Sequence, residues 1–254
     1  MEVDGNGPVV VLAHGFGGSA RNFRPQARAL AARYRVARFD ARGHARSPAP
    51  HEAAAYTTES FAADLGRIVD RVGGERAVVG GLSMGAGTAL RFALDHPERV
   101  AGLVLAAYPP GAGAQGGFAS VALPFADAIE REGLDAAGAR FVWGPASGLD
   151  PDAARLVRQG FLEHPPHGLA LTLRGVIAAQ PTVAALRSWL AALRLPALVV
   201  VGGEDRMSLA PSRELAGAIP GGRLVVIEGA GHVVNLAQPG AFNAALEQFL
   251  TDVA

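Results

Sequence analysis

The chain contains neither cysteine nor lysine. Without thiols there is no disulfide framework and no thiolate nucleophile or ligand, so the redox compartment leaves no trace. Net charge is missing as well: 23 arginines face 23 acidic residues, which removes the basic surface that a nucleic acid or an anionic membrane would require. Long apolar runs are absent, none nearing the ~18 residues of a membrane span. The start, Met1-Glu2-Val3-Asp4-Gly5, is acidic where a signal peptide is basic and then apolar. Histidines and carboxylates show no metal-ligand spacing. These absences point to a cytoplasmic protein that acts on a small molecule. They leave no metal or other cofactor, no nucleic-acid or membrane partner, and a monomer or homodimer.

Half of the residues are hydrophobic, which suits strands buried on both faces, and 254 residues suit one large domain or a core carrying an insertion. The organising stretch is Ala77-Val78-Val79-Gly80-Gly81-Leu82-Ser83-Met84-Gly85. An apolar strand runs into Gly-x-Ser-x-Gly, and a helical pattern from Thr88 to Leu94 follows at once. Strand, sharp turn and helix together turn this motif into a mechanism. The turn strains the serine backbone and projects the hydroxyl from the sheet end. Gly81 and Gly85 keep side chains out of a close strand–helix approach.

The rest of the chain alternates in the same way. Val9–Ala13 reads as a buried parallel strand ending in the glycine-rich turn His14-Gly15-Phe16-Gly17-Gly18, and Asn22 to Arg33 has helical periodicity. A second strand, Arg35–Phe39, leads into the loop Asp40 to Ser47. Thr57 or Thr58 caps a helix whose apolar face is Phe61, Leu65, Ile68, Val69 and Val72. Val100 to Ala106 is another strand. From residue 111 to 193 the rhythm fails: only helical patterns remain, interrupted at Gly144-Pro145 and Pro165-Pro166. Strands return at Pro196–Val201 and Arg223–Ile227, with helices at Pro211–Ile219 and Ala241–Leu250. The expected fold is α/β: a mostly parallel sheet flanked by helices, with core segments 1–110 and 194–254 and a helical cap at 111–193. The cap carries Phe118, Phe125, Phe141, Trp143, Phe161 and Trp189. Phe118, Phe125 and Trp143, with Phe16 of the glycine-rich turn, are the candidate substrate-binding residues.

A serine hydroxyl needs a base to take its proton as it attacks. His232, in Glu228-Gly229-Ala230-Gly231-His232, stands at a strand end downstream of Ser83, and Asp205, in Gly202-Gly203-Glu204-Asp205, follows another. An aspartate on the far ring nitrogen fixes the tautomer and stabilises the imidazolium. Ser83, Asp205 and His232 are therefore the candidate catalytic residues, with Glu204 the alternative acid. Donors for a developing oxyanion come from the backbone amides of Met84 and Phe16. His14 and His44 read as structural, and His164 and His167 as surface residues.

Together, His14-Gly15-Phe16-Gly17-Gly18, Asp40-x-Arg42-Gly43-His44-x-x-Ser47, Gly81-Leu82-Ser83-Met84-Gly85, Gly203-x-Asp205 and Gly231-His232 resemble the α/β-hydrolase fold superfamily. The likeness is to small soluble bacterial members such as enol-lactonases, carboxylesterases, cofactor-free haloperoxidases and the menaquinone-pathway synthase. It implies the same triad and oxyanion amides, and it leaves the bond cleaved open. The expected activity is cleavage of a small or medium apolar ester, lactone or thioester through an acyl-serine. A lyase, cyclase or synthase, or a receptor-like member that only binds ligand, are the alternatives. Ala45 and Ala86 stand where members commonly have glycine, and Ala237 where many carry glutamate. The front of the sheet reads as reduced: no strand is expected before Val9, which leaves Arg35–Phe39 as an exposed edge guarded by Arg35 and Arg38.

Overall fold

The protein is described by a computed structural model covering residues 1–112, 119–144 and 151–253. Seven strands form one sheet: β1 (Glu2–Asp4), β2 (Val9–Ala13), β3 (Arg35–Phe39), β4 (Ala77–Leu82), β5 (Val100–Ala106), β6 (Ala197–Gly202) and β7 (Gly222–Ile227), in the order β1-β3-β2-β4-β5-β6-β7. All neighbours are parallel except β1 and β3. The helices are α1 (Arg24–Leu30), α2 (Thr58–Arg71), α3 (Met84–Asp95), α4 (Ala119–Phe141), α5 (Pro151–Phe161), α6 (Pro166–Thr172), α7 (Arg187–Ala192), α8 (Leu209–Ala218), α9 (Val234–Ala237) and α10 (Pro239–Val253).

Strand periodicity sorts the core into two layers. Val9, Val11 and Ala13 face one side, where Leu65 and Val69 of α2, Leu90 and Phe92 of α3 and Leu215 of α8 pack. Val10 and Leu12 face the other, against Ala27 and Leu30 of α1 and Phe242, Leu246 and Phe249 of α10. Because both faces are covered, the central strands are apolar throughout, which made them readable as uninterrupted runs. Thr57 caps α2, accepting the Ser60 amide at 3.1 Å. Helix α1 begins later than its periodicity implied, because a 3-10 turn, Ala20–Phe23, precedes it. Among the described residues no strand lies between β5 and β6; α4 to α7 fill that interval, and α4 is broken at Gly133, whose φ of 82° is not helical. Among the described residues no helix is long and apolar enough to cross a membrane.

The front of the sheet departs from the sequence expectation. Glu2–Asp4 forms a strand ahead of Val9 and pairs antiparallel with β3, in register Glu2–Arg38, Val3–Ala37 and Asp4–Val36. The strand Arg35–Phe39 is thus covered, and Arg38 is no exposed guard. It is 3% exposed and bonds Asp4 at 2.5 Å, Glu2 at 3.1 Å and the Ala20 carbonyl at 3.3 Å. Arg35 reaches the Val72 carbonyl at 3.0 Å. Two carboxylates satisfy a guanidinium that burial would otherwise penalise.

The tightest packing lies where β4 passes into α3. A Cβ on Gly81 would stand 2.5 Å from the Ala13 carbonyl oxygen, and one on Gly85 would overlap the Ala13 and His14 backbone. Gly85→Ala is expected to cost about 3 kcal/mol, the upper end for overpacking, because the obstacle is main chain. Gly217→Ala, on the exposed side of α8 with open space around it, should instead gain about 0.5–1 kcal/mol. Urea unfolding of both variants checks the contrast.

Candidate active site

Ser83 joins β4 to α3 with φ 54° and ψ −111°, a backbone that an L-residue adopts only under constraint. Its amide is held by the Ala106 carbonyl at 2.8 Å on neighbouring β5, and its carbonyl accepts from Gly87 at 3.0 Å in α3. The conformation is therefore clamped from both sides. The first amides of α3, at Met84 and Gly85, have no carbonyl of their own helix to reach, so they point toward the Ser83 end with the helix dipole behind them.

The loops after β6 and β7 bring the candidate acid and base together. His232 Nδ1 lies 2.8 Å from Asp205 Oδ2. Glu204, next to Asp205, is exposed, so of the two carboxylates Asp205 is the one on the imidazole. Burial would raise the Asp205 pKa, but the hydrogen bond and charge of His232, with the Ser208 hydroxyl and amide, bring it below its ordinary value. Asp205 is thus a carboxylate, Nδ1–H donates to it, and the His232 Nε2 lone pair is left available. Ser208, missed in the sequence, is fully buried, with Oγ 3.3 Å from His232 Nδ1 and its amide 3.2 Å from Asp205 Oδ1.

The turn His14 to Gly18 closes on itself, with the Gly18 amide donating to the Gly15 carbonyl at 3.0 Å and Gly17 at φ 66°. It lies against the nucleophile candidate: a Cβ on Gly15 would be 3.6 Å from Ser83 Cβ. Two buried imidazoles hold it by hydrogen bonds, and a third packs between them. His14 Nε2 accepts the Ala41 amide at 2.9 Å, so the proton sits on Nδ1 and goes to the Gly15 carbonyl at 2.7 Å. His164 Nδ1 accepts the Ala45 amide at 2.8 Å, so its Nε2–H donates to the Gly17 carbonyl at 2.9 Å. His44 lies between them, with ring centroids 5.1 Å from His14 and 5.3 Å from His164. It donates Nδ1–H to the Arg42 carbonyl, and its Nε2 is buried without a partner among the described residues. All three are neutral. Burial lowers His14 to about 4. Burial and the neighbouring histidines push His44 well below its ordinary value. Burial lowers His164 despite its Gly17 bond. His164 is thus no surface residue; His167 is half-buried and reaches the Ala49 carbonyl.

Ala45 has φ 43°, a left-handed conformation in which glycine is unstrained. That accounts for the glycine expected at this position, and alanine carries the strain here. Of the candidate substrate-binding residues, Phe16 is half-buried on the turn, and Phe125 packs on it at 5.8 Å between centroids. Trp143 packs on Phe161 at 5.6 Å, and Phe161 in turn lies 6.3 Å from Phe16. Phe118 lies outside the described residues. Phe161 was legible only as one of several aromatics. Among the described residues no three histidine or carboxylate side chains gather as a metal ion would require.

Residues 8–122 match the family described as alpha/beta hydrolase fold. The chain is 31% identical, over 96% of its length and 90% of the other, to a putative 2-succinyl-6-hydroxy-2,4-cyclohexadiene-1-carboxylate synthase of Bacillus subtilis (strain 168). The protein belongs to the α/β-hydrolase family. Among solved structures, this α/β hydrolase is similar to the enol-lactonase from Burkholderia xenovorans LB400, with a TM-score of 0.85 and 30% identity, covering 98% of this chain and 95% of that one. A thermophilic esterase from Thermogutta terrifontis gives 0.87 at 30% identity, covering 99% and 92%.

The neutral imidazoles set a pH dependence of stability. Their folded pKa values lie below the unfolded value of about 6.5, so below that pH the unfolded chain binds protons that the folded chain refuses. Stability is full above about pH 6.5 and falls as pH drops toward the folded pKa. His14, at about 4 when folded, contributes a loss of about 2 kcal/mol between pH 6.5 and 5. Urea unfolding at pH 7.5, 6 and 5 should show this loss before most carboxylates titrate; a flat profile over that range would contradict the neutral assignments.

Proposed function

We propose that this α/β hydrolase cleaves a small or medium apolar ester, lactone or thioester through an acyl-serine intermediate. The observation that carries the reading is the Ser83 backbone, clamped at φ 54° and ψ −111° between strand and helix. A fold retains such strain where an exposed nucleophile is needed. The Asp205–His232 pair at the same end of the sheet supports it. So does the likeness to an enol-lactonase and an esterase.

In this mechanism His232 Nε2 takes the Ser83 proton as Oγ bonds to the substrate carbonyl carbon. The carbonyl electron pair moves onto oxygen, which the Phe16 and Met84 amides receive. Re-forming the carbonyl breaks the bond to the leaving group, which departs with the proton from His232. Water then repeats the sequence on the acyl-serine, releasing the acid and returning the proton to Ser83. Asp205 holds the ring in the productive tautomer throughout. Helices α4 to α7 are the cap over this site, with Phe16, Phe125 and Trp143 as apolar walls; the side chains ringing Phe16 are aromatic, namely His44, Phe125 and Phe161.

A second reading is favoured by the likeness to the Bacillus subtilis synthase: the same triad abstracts a proton and no acyl-enzyme forms. A panel of p-nitrophenyl esters, lactones and thioesters, with a fluorophosphonate probe, separates the two. On the hydrolase reading Ser83→Ala loses about three or more orders of magnitude in turnover and all labelling, while the fold survives. Near-full activity in Ser83→Ala together with its loss in His232→Ala favours the proton-transfer reading.

Two further contrasts test the assigned roles. Asp205→Asn should impair turnover strongly by favouring the wrong tautomer, with Glu204→Gln having little effect. Phe16→Ala keeps the amide and should alter mainly KM and chain-length preference. Phe16→Pro removes the amide, and kcat should fall roughly 100- to 1,000-fold, provided circular dichroism shows both variants folded. Equal kcat values would move the donor elsewhere in the turn.

A further inference from the structure

The end of α5 and the segment that follows it reach the turn beside Ser83 at several independent points. The Phe161 ring occupies the space over Gly17, where a Cβ would lie 2.8 Å from it. Phe161 also meets the Phe16 ring edge-on. Glu163 pairs with Arg21, just beyond the turn. His164 makes the directional contacts, Nε2–H to the Gly17 carbonyl and Nδ1 from the Ala45 amide. One ring thus bridges the glycine-rich turn and the Asp40–Ser47 loop from a position far along the chain.

We propose that His164 is a positioning residue for the Gly15–Gly18 turn, so that the direction of the oxyanion amide depends on the helical segment being seated. The catalytic half of this inference rests on the acyl-transfer reading above. The Gly17 carbonyl belongs to the peptide that carries the Gly18 amide, which closes the turn onto Gly15. Holding that carbonyl from outside fixes the plane of the peptide. The Gly18 N–H of that plane in turn holds the Gly15 carbonyl, whose own peptide carries the Phe16 amide. Gly17 has little steric resistance of its own at φ 66°, so an external bond is needed to choose one conformation. The Ala45 arm does different work: it holds the imidazole tautomer and joins the segment to the neighbouring loop. When the segment lifts, the bond to Gly17 breaks and the donor loses its aim.

The two arms separate by substitution. Glutamine places an N–H donor near the position of Nε2 and keeps the Gly17 bond. Asparagine places an acceptor near Nδ1 and keeps only the Ala45 bond. Hydrogen exchange of the turn amides, residues 15–19, reads the first half of the proposal without turnover. It should quicken several-fold in His164→Asn and stay near the wild-type rate in His164→Gln. Kinetics on the best p-nitrophenyl ester read the second half. In His164→Asn kcat should fall about 10- to 100-fold, a part of the loss from deleting a donor, with KM little changed, and His164→Gln should recover most of it. Unchanged exchange in His164→Asn overturns the proposal. So does faster exchange with an unchanged kcat, which would make His164 a docking residue only, as would equal losses in both variants at matched thermal stability. Failure of the acyl-transfer reading is recognised separately, by full ester turnover in Ser83→Ala, and leaves the exchange contrast standing.

Discussion

The main-chain contact among Gly81, Gly85 and Ala13 is the constraint from which the rest of the site follows. Three backbone segments meet with no space for a Cβ at either glycine. The chain between them must turn within a few residues, which drives Ser83 into its positive φ. The strain, of order 1–3 kcal/mol, is held by ordinary packing: Val79 and Leu82 in the sheet and Ala86, Ala89 and Leu90 in α3 are all buried. The hydroxyl is thus presented by a rigid element, and only its partners need come from loops. Parallel strands bring those partners to one end of the sheet, where the bonds of Ser83 to Ala106, Ala107 to Val200 and Gly203 to Ile227 step across β4 to β7.

Electrostatics divide the histidines into two groups. His232 shares its proton with a carboxylate and is 38% exposed. His14, His44 and His164 are buried, and two of the three accept a backbone amide on one nitrogen while donating to a carbonyl with the other. A neutral imidazole is one of the few side chains that offers both functions at opposite ends of a rigid ring. It bridges two main-chain segments where a charged group would be penalised by desolvation.

Most of the fold was legible because it rests on local signals. Buried parallel strands are unbroken apolar runs, and the turns after them carry glycine where the main chains converge. The places of Ser83, Asp205 and His232 at strand ends were legible from their order along the chain, and the structure sets Asp205 on the His232 ring. What escaped depends on contacts between distant residues. The strand Glu2–Asp4 is only three residues long, and its outward charges look like solvent-facing residues until Arg38 is found between them. Ser208 earns notice only beside His232, 24 positions later. His164 flanks two prolines in a sequence rich in surface residues, and its partner Gly17 is 147 positions away. Nothing in residues 161–167 encodes that meeting; it arises from how the helical segment lands on the sheet.

The clasp at the front edge also ties the stability of the body to its shortest strand. Arg38 is almost fully enclosed, its Nε has no partner among the described residues, and the carboxylates on its terminal nitrogens belong to Glu2 and Asp4. Replacing both carboxylates by amides would leave the guanidinium without a counter-ion at this place, with the Ala20 carbonyl still bonded to it. A buried charge stripped of its counter-ion costs about 3–5 kcal/mol, a large part of what a domain has to spare. This border strand is therefore bound into the body by charge as well as by its backbone ladder, and three residues carry an energetic weight out of proportion to their length.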